Sequence, residues 1–98
     1  MRAIDLWALT SDLDPKAPLK TKVGDTTLNI TGYRLENDNF ILEARADGQP
    51  KNLGTFISIA QQPAVRKLPV RVRRVDTEDA PARIIFGCQF RERAVVLK

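Results

Sequence analysis

The stretch "PVRVRRVDTEDAPARIIFGCQF", residues 69 to 90, decides the fold. Valine alternates with arginine, an acidic segment follows, and the pattern resumes with isoleucines, phenylalanines and one cysteine. Period-two alternation marks a strand with one buried face. Val70 and Val72 are therefore expected inside, with Arg71 and Arg73 outside. Beyond the turn, Ile84, Phe86, Cys88 and Phe90 are expected on the core side of a returning strand, alternating with Arg83, Ile85, Gly87 and Gln89. Full burial of one large apolar side chain contributes roughly 1.5–3 kcal/mol, so packing dictates where these arginines point.

Working back from this hairpin, "QQPAVRKLP" (61–69) reads as a connection with two prolines, "TFISIA" (55–60) as a short strand and "DGQPKNLG" (47–54) as a loop. "FILEARA" (40–46) alternates with Phe40, Leu42, Ala44 and Ala46 facing the core. It is the return strand of "TTLNITGYRLE" (26–36), across a turn at Glu36-Asn37-Asp38-Asn39. Asn and Asp tolerate the left-handed backbone that such a turn requires. The phase of the first strand changes at Gly32, and a bulge there keeps Leu28, Ile30, Tyr33 and Leu35 on one side.

Gly24-Asp25 is a further turn signal, and the proline-bearing "TSDLDPKAPLKTK" (10–22) reads as a loop. "AIDLWAL" (3–9) fits a short strand and a helical turn equally. "RERAVVLK" (91–98) ends in apolar residues that either add a strand or form an edge that a second subunit covers. Strands without long helical patterns between them favour antiparallel pairing. Five to six such strands on 98 residues cannot cover both faces of an open sheet. The expected fold is a mainly β, small antiparallel β-barrel with little helix, forming a single domain over residues 1–98.

Sixteen Lys and Arg against twelve Asp and Glu give a formal charge of +4. Residues 66–98 hold nine basic and four acidic side chains, so the basic excess is carboxy-terminal. One cysteine forms no internal disulfide, the opening residues lack the apolar run of a signal peptide, and no window resembles a membrane helix. These features are those of a cytoplasmic protein with no membrane partner.

The chain has no histidine, which excludes every histidine-dependent triad. Cys88, between phenylalanines on an apolar face, is read as structural, since burial keeps a thiol protonated. Asp76, Glu78 and Asp79 are read as a solvated turn rather than a metal site, and Asp12 and Asp14 as loop charges. Trp7 is read as core. Neither a catalytic set, nor a metal site, nor a cofactor is expected. The candidate anion- or ligand-binding residues are Arg66, Lys67, Arg71, Arg73 and Arg74, which fall within nine residues. Arg71 and Arg73 on one strand face stand about 7 Å apart, a spacing that suits neighbouring phosphates.

The order of features, "VRVRRV", a charged turn, then "IIFGCQF", resembles the terminal hairpin of PilZ domains. In these small β-barrels a strand rich in valine and arginine is followed by a glycine, a small or apolar residue and, two positions on, a phenylalanine. Gly87, Cys88 and Phe90 match that order. The resemblance implies cyclic di-GMP as ligand, held by arginines four apart and by an Asp/Asn-x-Ser-x-x-Gly turn. Lys16 and Lys20 have the first spacing, and Asn29-Ile30-Thr31-Gly32 begins like the second motif with its glycine two positions early. Family members without intact motifs act through protein contacts. The resulting expectation is a non-enzymatic binding module of bacterial type, acting on a protein partner, on itself as a homodimer, or on an anionic ligand. The rivals are a nucleic-acid-binding barrel of phage or mobile-element type, with Trp7 and Tyr33 as stacking candidates, and a small enzyme or toxin without a recognisable site.

Overall fold

The computed structural model describes residues 1–78 and 80–98. Among these residues the chain forms helix α1 (Ala3–Thr10), strands β1 (Leu19–Val23), β2 (Thr26–Glu36) and β3 (Asn39–Arg45), helix α2 (Leu53–Ala60), and strands β4 (Val70–Arg74), β5 (Arg83–Ile84), β6 (Cys88–Arg91) and β7 (Ala94–Leu97). All seven strands join one sheet in the order β5-β4-β3-β2-β1-β7-β6. The fold is mainly β, as expected, but the sheet is an open, curled half-barrel rather than a closed barrel of five to six strands. The seam stays open because β5 makes only two pairs, Arg71 with Ile84 and Val72 with Arg83, and none with β6.

The expectation of purely antiparallel pairing is also corrected. β3 runs parallel to β4, and β1 runs parallel to β7. Parallel neighbours need a crossover, and α2 supplies one between β3 and β4. "TFISIA" is therefore helix and not strand. Asn52 caps it by accepting from the Thr55 N–H at 2.9 Å, and Leu53, Phe56 and Ala60 put their side chains in the core at helical spacing. Residues 3–9 also resolve as helix. Its buried Ala3, Leu6 and Thr10 repeat that spacing, and Asp5 Oδ2 accepts from the Arg2 N–H at 2.8 Å at its start.

The first hairpin follows the alternation. Asn37 and Asp38 are both left-handed, at φ 51° and 59°, and the register shifts between Ile30 and Gly32, leaving Thr31 as the extra residue. Leu28, Ile30, Tyr33 and Leu35 do lie on one face, opposite Ala44, Leu42 and Phe40, although Tyr33 and Leu35 remain exposed at its end. Ala46, expected in the core, is exposed just beyond β3. The loop expected over 10–22 ends early, since residues 19–23 are strand β1. The apolar tail needs no second subunit to cover it, because β7 lies between β1 and β6 with Ala94, Val95 and Leu97 buried.

The phase of the hairpin is upheld in β4 and overturned in residues 84–86. Val70 and Val72 are buried, whereas Ile85 is fully buried and Phe86 is 83% exposed. Arg83 shares the inner face with Val72, and Ile84 shares the outer face with Arg71. The chain leaves β5 after two residues, sends Ile85 into the interior, and bonds to the end of β7 through Phe86 N–H to Lys98 O at 2.7 Å. Cys88 and Phe90 stand opposite Leu97 and Val95 on the inner face as expected, but Phe90, on an edge strand, is half exposed. The inner face and both helices enclose one core around Phe40, Phe56, Leu6, Leu19 and Ile85. Among the described residues, both helices contribute to the core on the inner face of the sheet.

Candidate anion-binding site

Strand alternation and register sort the basic residues by face. The five sequence candidates do not converge. Arg66 and Lys67 lie in the α2–β4 connection, where Arg66 borders a groove with Ile4, Trp7 and Gln61. Arg71 and Arg73 stand together on the outer face, two residues apart on β4. Arg74 falls in the phase of Val70 and Val72 and turns to Asp76.

Three of the five are already engaged. Arg71 Nε donates to Asn39 Oδ1 at 3.0 Å, and Arg73 donates to both Glu36 oxygens at 3.4 Å. Glu36 and Glu43 also approach Arg34, at 3.8 and 4.0 Å, so two carboxylates offset Arg34 and Arg73 on the outer face of β2–β4, while Arg71 is held by a neutral amide. Arg74 Nε donates to Asp76 Oδ1 at 2.6 Å. That guanidinium, with the Ala46 N–H second, holds the Asp76 carboxyl below its ordinary range. The acidic turn thus pairs with an arginine through Asp76. Glu78 is exposed, and Asp79 lies outside the described residues. Among the described residues no three metal-ligating side chains come together.

A group of four unengaged cations lies on the other half of the outer face. Lys20 and Lys22 alternate on β1, Arg91 is on β6, and Lys98 follows β7, one residue past the last parallel pair, Thr21 with Leu97. The four line one depression of about 200 Å³, with Gln89 and Val96 on its floor and Glu92 at its rim. None of them forms an ion pair or a side-chain hydrogen bond among the described residues. Gln89 Oε1 is buried there without a hydrogen-bond partner. The arrangement can hold an anion by charge and N–H donation.

These residues were missed because the prolines before Lys20 labelled its segment a loop, and because 69 residues or more separate Lys20 and Lys22 from Arg91 and Lys98. The readable signal was the alternation in "LKTKV". Of the other candidates, Trp7 is 40% exposed beside the helices and does not join the core. Cys88 packs against the core, and its thiol is pushed up by burial and, less, by Asp12. No helix is long and apolar enough to cross a membrane, among the described residues. Comparison of the chain with protein-family models, curated proteins and solved structures returns no match.

Proposed function

We propose that this chain is a non-enzymatic binding module that captures an anionic ligand on the outer face of its half-barrel. The observation that carries this reading is the convergence of Lys20, Lys22, Arg91 and Lys98 on one depression with no ion pair to any of them among the described residues, while Arg73 and Arg74 are ion-paired and Arg71 is hydrogen-bonded to Asn39. Unpaired like charges on one face repel one another, and an arriving anion relieves that cost. The lack of histidine and the raised pKa of the Cys88 thiol support a binding role over a catalytic one.

The PilZ-like hairpin makes cyclic di-GMP one ligand to test. A stacked nucleic-acid strand is the weaker reading, because Trp7 lies on α1 and Tyr33 on the inner face, away from the four cations. Titration with cyclic di-GMP and with a labelled single strand at low and high salt tests the module. Binding that weakens with salt and is lost on replacing Lys20, Lys22, Arg91 and Lys98 together by alanine is expected. Affinity that instead depends on Arg71 and Arg73 overturns this site.

A further inference from the structure

Resting on that reading, we infer that the depression is a seat for a compact oligophosphate, a run of two or three linked phosphates, with whatever it is attached to left in solvent. The depression, of about 200 Å³, is partly open to solvent, so a group attached to the phosphates can extend out of it. No aromatic side chain lines it, so nothing there reads a ring.

The charge arrangement matches the same chemistry. Lys20 and Lys22, two residues apart on one strand, stand about 7 Å apart at the backbone, and Lys98 follows Leu97, the partner of Thr21 on the neighbouring strand. Arg91 comes in from the far side, on the strand beyond β7. Four cations against Glu92 leave a net three positive charges around one small volume. Lysine ammonium groups act as compact point charges and the Arg91 guanidinium as a planar fork, and both serve phosphate oxygens.

Gln89 supplies a second, independent pointer. Its Oε1 is buried without a partner while the side chain lines the depression. Rotation about its terminal torsion, which is broad and roughly two-fold, turns the amide N–H groups toward a bound phosphate oxygen. The rim is the β6–β7 turn, where Glu92 and Arg93 both adopt left-handed backbone, at φ 50° and 65°. This turn carries Arg91 on one side and Ala94 on the other, so it fixes how far Arg91 stands from β1.

Calorimetry of the whole chain with orthophosphate, pyrophosphate, tripolyphosphate, ATP, GTP and a twelve-residue oligothymidylate tests the inference. Tripolyphosphate, ATP and GTP are expected within about threefold of one another, and orthophosphate about tenfold or more weaker. Lys22→Ala and Lys98→Ala should each lower tripolyphosphate affinity about tenfold, and Gln89→Leu a few-fold. Glu92→Gln, which removes the one opposing charge, should raise it about two- to fivefold. Arg71→Ala and Arg73→Ala leave it unchanged, and thermal unfolding of each variant checks that the fold is kept. A tenfold difference between ATP and GTP overturns the inference, because a base is then being read. Lysine-dependent binding of oligothymidylate or cyclic di-GMP without binding of tripolyphosphate also overturns it and leaves the anion-binding module standing. Binding of none of these anions removes both.

Discussion

Arg83 donates from Nη2 to the hydroxyl of Thr21, joining the edge strand β5 to β1, four places away in the sheet. The same nitrogen donates to the Lys22 carbonyl at 3.1 Å, and Thr21 passes the chain of bonds on to the Leu97 carbonyl at 3.1 Å. A half-barrel can be bridged in this way only if it is strongly curled. Three residues, Ile85 to Gly87, separate β5 from β6, so the two edges lie within about 14 Å of each other at full extension. Arg83 is half-buried there, and the loss of water around its guanidinium lowers its pKa from the ordinary arginine value.

Arg83→Met keeps the apolar stem and removes both bonds. A loss of about 1.5–3 kcal/mol is expected in urea unfolding, the range for hydrogen bonds to a charged group. The loss should shrink when Thr21→Val is already present, since the two changes remove a shared interaction.

Ile85 and Phe86 test the path of the chain across the mouth. Ile85→Ala should cost about 2–5 kcal/mol because the side chain is fully buried, and Phe86→Ala should stay within about 0.5 kcal/mol because it is largely solvated. The opposite order in denaturation midpoints would restore the alternation that residues 84–90 suggest by themselves.

Two tight turns hold residues that prefer other backbone angles. Asp38 sits at φ 59° and Arg93 at φ 65°, where a residue with a Cβ is disfavoured by about 1–2 kcal/mol and Asn or Asp less. Asp38→Gly and Arg93→Gly should therefore stabilise the chain, Arg93→Gly by about 0.5–1.5 kcal/mol and Asp38→Gly by a few tenths. Thermal unfolding reads both. The Arg93 change should leave tripolyphosphate affinity close to normal, since that side chain does not line the depression.

Asp76 makes stability depend on pH in a definite direction. Its folded pKa lies below the unfolded value because of Arg74 and the Ala46 N–H, so the folded state binds the proton more weakly. Its contribution is complete above the ordinary carboxylate range near 4 and is lost as pH falls through the lower, folded value. Unfolding midpoints from pH 6 to pH 2 should fall more steeply for the native chain than for Asp76→Asn.

Much of this architecture is legible from local pattern. The Val70/Val72 phase, the Asn37-Asp38 turn and the bulge before Gly32 all follow from period two and from residues that accept left-handed backbone. Helix α2 is hidden because Phe56, Ile57 and Ile59 suit a strand equally well, and only the Asn52 cap and the Leu53, Phe56, Ala60 spacing favour the helix. Residues 84–86 are apolar in both phases, so alternation has no purchase on them. The cation cluster is a product of tertiary pairing: no short window of sequence contains both Lys20 and Lys98, and in the arginine-rich window Arg73 is paired by the distant Glu36 and Arg74 by the nearby Asp76.

The parallel pairing of β1 with β7 joins positions 76 residues apart, as the Thr21–Leu97 bond shows. Such distant partners must meet before the pairing yields any gain, and the entropy of closing that long loop opposes the encounter. Refolding should accordingly run on the millisecond-to-second scale usual for sheets built from remote contacts. Until it completes, β1 has one bare edge, and Lys20 and Lys22 on that strand supply the like-charge repulsion that keeps two half-made copies from joining there.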